Sequence, residues 1–378
     1  MTAADRQLIQ VLPRLAPARC GVSDHAVALA AELQARFGIA SRFVVPNAGA
    51  PCDRAFSVTQ CAPEQLTDVC AALSPSRPAA ILVHLSGYGY AADGAPARLA
   101  DAIERMKACG GFRIAVFFHE LYAGGMPWTS AFWLARRQKR VYRRIARACD
   151  LAVTSAEVFA RWLGGQTAAP VERLPVFSQA GEGEAPVPFA ERERTLVVFG
   201  LAGTRRKVYP ELARLSGALA RLDVREIVDI GPVCVTPRAV NGIPVRSLGV
   251  LPVDEIDRRL TRAAFGALAY APNCLAKSGV FAAYTAHGVI PLVAQDFCGE
   301  FDGLRAGVHL LSPRTARLAD GEALAACSRA GWQWYAGHRL RAHAALYARW
   351  LDAADGTGTC AEQDSDRDSE QGGERNHG

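Results

Sequence analysis

Five short polar clusters in this chain each sit directly behind an apolar, strand-like run, where side chains that touch ligands are usually placed. His119 and Glu120 follow RIAVFF. A histidine at a strand end can donate a hydrogen bond to a hydroxyl or help hold developing charge, and a neighbouring carboxylate can orient it. The spacing fits no metal signature, because Leu121, Tyr122 and Ala123 come next. His84, Ser86, Tyr88 and Tyr90 follow AAILV, with Gly87 and Gly89 between them. Aromatics beside glycines suit stacking against a sugar or a lipid-linked acceptor, and structural tyrosines in a Gly-rich loop are the plain alternative. Cys20 to Asp24 forms a loop feeding a helix, in which Gly21 permits close backbone approach and Ser23 or Asp24 can cap. That loop reads as a phosphate or sugar contact, or as an ordinary turn. Gly203, Arg205, Arg206 and Lys207 follow TLVVFG. Cations there can neutralise a diphosphate, although a solvated Arg run looks the same. The segment is neither a Walker loop nor G-x-G-x-x-G.

The fifth cluster carries the most information. Lys277 to Pro291, KSGVFAAYTAHGVIP, follows the apolar run AFGALAYAP. It reads as strand end, Gly-containing turn, helix of small residues, Gly stop and short strand. A helix starting at the C-terminal end of a parallel strand points free N–H groups and the positive end of its dipole into the ligand crevice.

The elements that must position these clusters alternate regularly. Apolar runs such as QLIQVLP, SRFVVPN and LAVTS are separated by amphipathic segments such as HAVALAAELQARF and FWLARRQKRVYRRIARACD. The pattern predicts βαβ units and parallel sheets flanked by helices. A Gly/Pro/charge-rich stretch then interrupts it, and the alternation restarts with TLVVFGLA, REIVDIGP, IPVRSLGVL, IPLVAQ and VHLLSP. The predicted organisation is an N-terminal, acceptor-side Rossmann-like domain over 1–178, a linker over 179–193 and a donor-binding Rossmann-like domain over 194–326. C-terminal helices over 327–352 cross back to the first domain, and an acidic tail over 353–378 has too little apolar content to order.

The 378 residues carry a net charge of +6. From Asp352 onward there are eight acids and two bases, a contribution of −6, so the body carries +12. A basic body suits a phosphate-bearing substrate or an anionic membrane face, and it is also what an Arg-rich composition gives for no special reason. No aromatic-interleaved basic stripe marks a nucleic-acid module, so nucleic acid is not expected as a partner. The eleven cysteines form no Cys-x-x-Cys pair and their count is odd, which argues against a disulfide framework and a zinc cluster. No apolar run is long enough to span a bilayer, and MTAADRQLIQVLP lacks a signal-peptide pattern; both predict a cytoplasmic chain.

In their order, CGVSDHAVALAAEL, the strand-end His119, VVFGLAGTRRKVY, and SLGVLPVDEIDRRLTRAAFGALAYAP leading into KSGVFAAYTAHGVIP resemble bacterial glycosyltransferases of the GT-B fold. The resemblance is to the large retaining, nucleotide-sugar-dependent group (glycosyltransferase group 1, family 4-like) and covers roughly residues 8–350. It implies two Rossmann-like domains facing a central cleft and a hexosyltransferase-type enzyme working without metal or other cofactor. The activity it implies is transfer from a nucleoside-diphosphate sugar to a glycan or lipid-linked acceptor, in surface polysaccharide or glycolipid assembly. It places His119, Arg205 and Lys207 in catalysis. Gly21, Ser23, Arg206, Gly249, Lys277, Ser278, Gly279 and Val280 fall on the donor side. His84, Tyr88, Tyr90, Glu120 and Trp128 fall on the acceptor side. The family's paired glutamates, Glu-x7-Glu, are missing: anchored on Gly288 and Pro291, the second falls on Ala283 and the first near Leu275 to Lys277. A lysine there favours phosphate or a carboxyl-bearing sugar. The substitution keeps open a non-catalytic nucleotide-sugar-binding protein, and less readily a sugar-nucleotide epimerase. The basic helix Arg136 to Arg144 could rest on an anionic membrane or stand solvated, and the oligomeric state is not legible.

Overall fold

The computed structural model describes residues 6–15, 21–47, 57–74, 78–123 and 130–353. The first seven strands are β1 (Gln7–Val11), β2 (Ala40–Val45), β3 (Val58–Gln60), β4 (Ala79–Leu85), β5 (Phe112–Phe118), β6 (Leu151–Thr154) and β7 (Val171–Arg173). They form one parallel sheet in the order β3-β2-β1-β4-β5-β6-β7. Six more strands form a second sheet: β8 (Glu193–Phe199), β9 (Glu226–Ile230), β10 (Ala239–Val240), β11 (Ile243–Gly249), β12 (Ala263–Leu268) and β13 (Ile290–Val293). Their order is β10-β11-β9-β8-β12-β13, parallel except for β10. The expected doubly wound α/β class is therefore present twice. VHLLSP is the exception: among the described residues it makes only isolated bridges at Leu310 and Leu311, with no strand of its own.

The central strands of both sheets, such as β4 and β12, are buried on both faces, which is why they read as continuous apolar runs. Helices α1 (Gly21–Phe37), α2 (Leu66–Leu73), α3 (Gly87–Tyr90), α4 (Ala97–Cys109), α5 (Ser130–Ala148) and α6 (Glu157–Gly164) belong to the first lobe. Strand side chains Ile81, Val83, Ile114 and Val116 meet Leu99 and Ile103 of α4 and Ile145 of α5. The alternate set, Leu8, Leu82, Ala115 and Phe117, faces Leu29 and Leu33 of α1. The second lobe carries α7 (Ala202–Ala213), α8 (Ser216–Arg221), α9 (Val253–Arg262), α10 (Gly279–Ala286), α11 (Pro313–Leu318) and α12 (Gly321–Ala336). The last helix, α13 (Leu340–Asp352), returns to the first lobe, where Ala344 and Tyr347 close the α1 face.

Each sheet has one switch point where the winding direction reverses, between β1 and β4 and between β8 and β12. Helix α10 stands over the second. Its residues Phe281 to Ala286 are all buried, as a helix apolar all round must be. Tyr284 fixes it there. The ring lies on Gly266 of β12, where a Cβ would come within 2.7 Å of the ring atoms. Its hydroxyl donates to the Val197 carbonyl at 2.9 Å, with the Ala267 carbonyl 3.2 Å away, and accepts from the Phe199 N–H at 3.2 Å. Tyr284→Phe keeps the ring and removes three hydrogen-bond relations at a fully buried site. The expected loss is about 1–3 kcal/mol of unfolding free energy, read by urea denaturation. A change under about 0.5 kcal/mol would show that the hydroxyl does not anchor the helix.

Candidate functional site

The loops after the two switch points meet in one cleft. A cavity of about 250 Å³, the more polar of two in the cleft, is lined by Gly21, Val22 and His25 of α1, by Ser86, His119 and Glu120 at strand ends, and by Tyr270, Lys277 and Gly279 of the second lobe. Beside it lies a more apolar cavity of about 430 Å³, bounded by Phe199, Gly200, Leu201, Ile230, Gly231, Val250 and Leu251 and sharing Tyr270, Lys277 and Gly279 with the first. Lys277 ends the 3-10 turn Pro272–Lys277, and Ser278 caps α10, its hydroxyl accepting from the Phe281 N–H at 3.2 Å. The cap leaves the first N–H groups of the helix facing the shared wall, and a Cβ added to Gly279 meets nothing within 4 Å.

The two lobes touch around this cleft. Val176 N–H donates to the Ala276 carbonyl at 2.9 Å, and the Gln179 amide to the Gly21 carbonyl at 2.8 Å. Below the cleft, the buried carboxylate of Asp302 accepts from the Glu157 N–H at 2.5 Å and from Arg173 at 3.2 Å. Across it, Lys277 Nζ stands 3.5 Å from Glu120 Oε1, with its ammonium 5.5 Å over the Phe159 ring. Burial alone would lower the lysine's pKa, but Tyr270 and Glu120 outweigh it and raise it, so the lysine stays charged in a half-closed site.

The first-lobe wall is built from imidazoles. Period-2 alternation puts His84, Phe117 and His119 on the face covered by α1 and α13, which bring His25 and His343. Ring centroids lie 5.0 Å apart for His25 and His119, and 5.5 Å for His25 and His343. Burial, then repulsion from neighbouring imidazoles, holds His25 and His119 well below the ordinary imidazole value; burial alone takes His84 down to about 3, and takes His343 to about 4 against the opposing hydrogen bond it donates to the Pro175 carbonyl. These histidines are neutral at pH 7.

Several expected site residues are elsewhere. Arg205 is corrected: only 1% exposed, its guanidinium pairs with Asp229, donates to the Gly200 carbonyl at 2.9 Å, and also donates to the Pro232 carbonyl. Three of its five N–H groups are thus spent inside the lobe, and Arg205 lines neither cavity. Asp229 also accepts from Tyr209, and Gly231 leaves the room the guanidinium needs, since a Cβ there would meet Arg205 Nε at 2.7 Å. Ser23 is corrected too: its buried hydroxyl donates to the Arg14 carbonyl at 2.7 Å. Arg206 and Lys207 are exposed on α7 and line neither cavity, whereas Thr204, a turn earlier, does. Gly249 gives its carbonyl to the Gly231 N–H, and its neighbour Val250 is the lining residue. Glu120, expected on the acceptor side, lines both cavities of the cleft.

His84 is fully buried behind His119. Tyr88 is pinned by Gln138, and the Tyr90 hydroxyl bonds the His84 carbonyl at 3.1 Å, with the Val11 carbonyl 3.2 Å away. The ring of Tyr90 borders a third cavity of about 710 Å³ at the C-terminal edge of the first sheet, with Pro13, Pro46, Pro63, Arg98 and Arg137. Gly87 is required there by packing, since a Cβ would come 2.3 Å from the Tyr142 hydroxyl. Trp128 lies outside the described residues. His119, Gly21, Lys277, Ser278, Gly279 and Val280 do converge on the cleft. His25 and Tyr270 were missed; the histidine stands one turn into a helix, and the signal for the tyrosine was its place behind AFGALA.

Two outcomes follow. Arg205→Ala leaves Asp229 buried and unpaired and should cost roughly 3–5 kcal/mol of stability, while Arg206→Ala stays within about 0.5 kcal/mol; equal melting temperatures for the two variants would contradict this. The histidines' folded values lie below 6.5, so their contribution is present above about pH 6.5 and lost as pH falls toward 3–4. Melting temperature should be level from pH 7 to 8 and decline steadily below about 6. A level profile down to pH 5 would contradict the neutral cluster.

No protein-family model matches the chain, and no curated protein sequence matches it. Solved structures do. An alpha-glucosyltransferase in complex with UDP-glucose and DNA containing an abasic site superposes with a TM-score of 0.56 over 93% of this chain and 99% of its own, at 11% identity. WaaG, a glycosyltransferase involved in lipopolysaccharide biosynthesis, gives 0.52 over 92% and 100%, at 12% identity. The pneumococcal O-GlcNAc transferase GtfA, solved with UDP and GlcNAc, gives 0.55 over 93% and 99%, at 8% identity. The expectation that nucleic acid is excluded is corrected by the first of these: an alpha-glucosyltransferase of this fold is seen in complex with DNA. Two parallel-sheet lobes meeting at their switch points, matched over nearly the whole length of these enzymes, give this chain the GT-B fold of glycosyltransferases.

Proposed function

We propose that this protein is a glycosyltransferase that moves a sugar from a nucleoside-diphosphate sugar to an acceptor hydroxyl with retention at the anomeric carbon. The observation that carries the reading is the pair of adjoining cavities at the mouth of α10, one mainly apolar and one more polar, sharing Lys277 and Gly279. The nucleoside fits the apolar side, against Leu201, Val250 and Leu251. The diphosphate belongs at the helix N-terminus, where the N–H groups of Gly279 and Val280 and the Lys277 ammonium oppose the charge that grows as the bond to the sugar breaks. The sugar enters the polar cavity between His119, His25 and Glu120. Closure of the lobes over it keeps out water.

The acceptor belongs in the 710 Å³ cavity of the first lobe, beside Tyr90. Helix α3 is the wall between that cavity and Ser86 in the polar one, which gives an acceptor hydroxyl a short path to the sugar. Surface polysaccharide or glycolipid assembly, on the cytoplasmic side, suits such an acceptor. Among the described residues no helix is long and apolar enough to cross a membrane. A peripheral contact is supported by α5, whose outer side carries Arg136, Arg140, Arg143 and Arg147 next to Trp133, which is 62% exposed.

The test is calorimetric binding of UDP followed by transfer assays with a nucleotide-sugar panel and glycan, lipid-linked and duplex DNA acceptors. Lys277→Ala should weaken UDP binding about tenfold, the loss of one charge-assisted contact of roughly 1.5 kcal/mol. His119→Ala should leave UDP binding unchanged and lower turnover about tenfold or more. UDP bound with no turnover on any acceptor would point instead to a non-catalytic sugar-nucleotide binder.

A further inference from the structure

Behind His119 the first lobe holds a buried polar chain that no packing need explains. Gln10, the penultimate residue of β1, is fully buried, in a strand otherwise apolar at Leu8, Ile9 and Val11. Its amide nitrogen donates to the Ser41 hydroxyl of β2 at 2.9 Å. Its amide oxygen lies 2.8 Å from His84 Nε2, and His84 Nδ1 lies 3.2 Å from His119 Nε2.

A neutral imidazole carries one proton, so each contact fixes the next. An oxygen facing His84 Nε2 requires N–H there. His84 Nδ1 is then a bare lone pair, and His119 Nε2 must supply the proton between the two rings. That leaves His119 Nδ1 as a lone pair on a half-buried ring that lines the polar cavity. Burial keeps both rings neutral, and on His119 the neighbouring His84 and His343 of α13 oppose a positive charge as well, while Glu120 and Lys277 across the cavity face each other at 3.5 Å. A second polar atom is unspent in the same wall: His25 Nε2 is buried without a hydrogen-bond partner among the described residues, on a side chain only 1% exposed.

We propose that Gln10 is a positioning residue that locks His84 and His119 in one tautomer chain, so that His119 meets the sugar as a hydrogen-bond acceptor and selects a sugar hydroxyl that donates to it. This rests on reading the polar cavity as the sugar site. It reverses the elementary expectation that a strand-end histidine donates to the substrate. A sugar lacking the hydroxyl, or methylated on it, leaves Nδ1 buried and unpaired, and the site discriminates against such donors.

Long-range proton–nitrogen NMR on histidine-labelled, ligand-free protein reads the tautomers directly. Both His84 and His119 should carry their proton on Nε2. A His119 proton on Nδ1 would overturn the proposal. Turnover with UDP-glucose, or with whichever panel donor is best, supplies the second arm. Gln10→Leu should lower turnover roughly 10- to 100-fold with UDP affinity unchanged. Gln10→Glu, whose carboxylate can only accept, should restore most of that loss and move the acid limb of the pH profile upward, since a buried anion favours the imidazolium. If Gln10→Leu does not fold, Gln10→Glu decides alone: loss of activity there means the amide donates to His84 and the chain runs the other way. Absence of turnover in the unaltered protein would end the transferase reading yet leave the tautomer result standing.

Discussion

The arrangement of the cleft depends on where one helix starts. Helix α10 has no polar face to orient it, so its position must come from packing and from the few polar atoms it carries. Tyr284 supplies the lateral restraint and Gly266 the space beneath it. At the C-terminal end His287 ties the helix to α9, its ring lying 2.9 Å from the Asp257 carboxylate and 2.7 Å from the Ala283 carbonyl. With the end of the helix and its middle both fixed, the N-terminus has one place to be, at the β8/β12 switch point. There its dipole and its free N–H groups face whatever occupies the cleft.

Charge in the cleft is used sparingly. Two arginines next to the site in sequence have opposite fates: Arg205 is spent inside the lobe holding together the ends of β8 and β9, and Arg206 is in solvent. Among the described residues that line the polar cavity, the ionised groups are Lys277 and Glu120, set on opposite lobes, and the imidazoles beside them are neutral. The pair spans the two lobes, and its carboxylate is half exposed, so Glu120 keeps contact with water while it faces the more buried Lys277. A second fixed cation in the same volume would have to be desolvated without a partner in the empty state, at a cost of several kcal/mol.

Much of this was legible in the sequence, and the rest failed for identifiable reasons. The alternating runs give both sheets because parallel strands buried on two faces have no polar side to confuse the pattern. KSGVF places the N-terminus of α10 because Ser caps a helix and Gly permits close approach. VHLLSP reads as a strand from composition, but it lies past the edge strand β13, where pairing is reduced to single bridges at Leu310 and Leu311. Arg205 and Lys207 were assigned by their distance along the chain from TLVVFG. What a helix does with three consecutive cations depends on its phase against the sheet, and here the phase turns the first inward and the others out. The partner that draws Arg205 in, Asp229, is on a different strand and has no local signature.

The histidine wall shows why pairwise sequence reading stops where it does. His84 and His119 were each recognised as strand-end residues, and each was given a ligand. Adjacent parallel strands in register put Leu85 opposite Phe118, with His119 N–H on the Leu85 carbonyl, so the two rings contact each other before either can contact a substrate. Only one of them can line the cavity, and the other becomes its support. Gln10 enters by the same logic from the other side of the switch point, since β1 and β4 are neighbours only because the winding reverses there. The reversal that opens a crevice for ligand between two strands also lets a buried amide on one strand reach an imidazole on the other. In this chain the architecture that makes the site therefore also supplies its orientation.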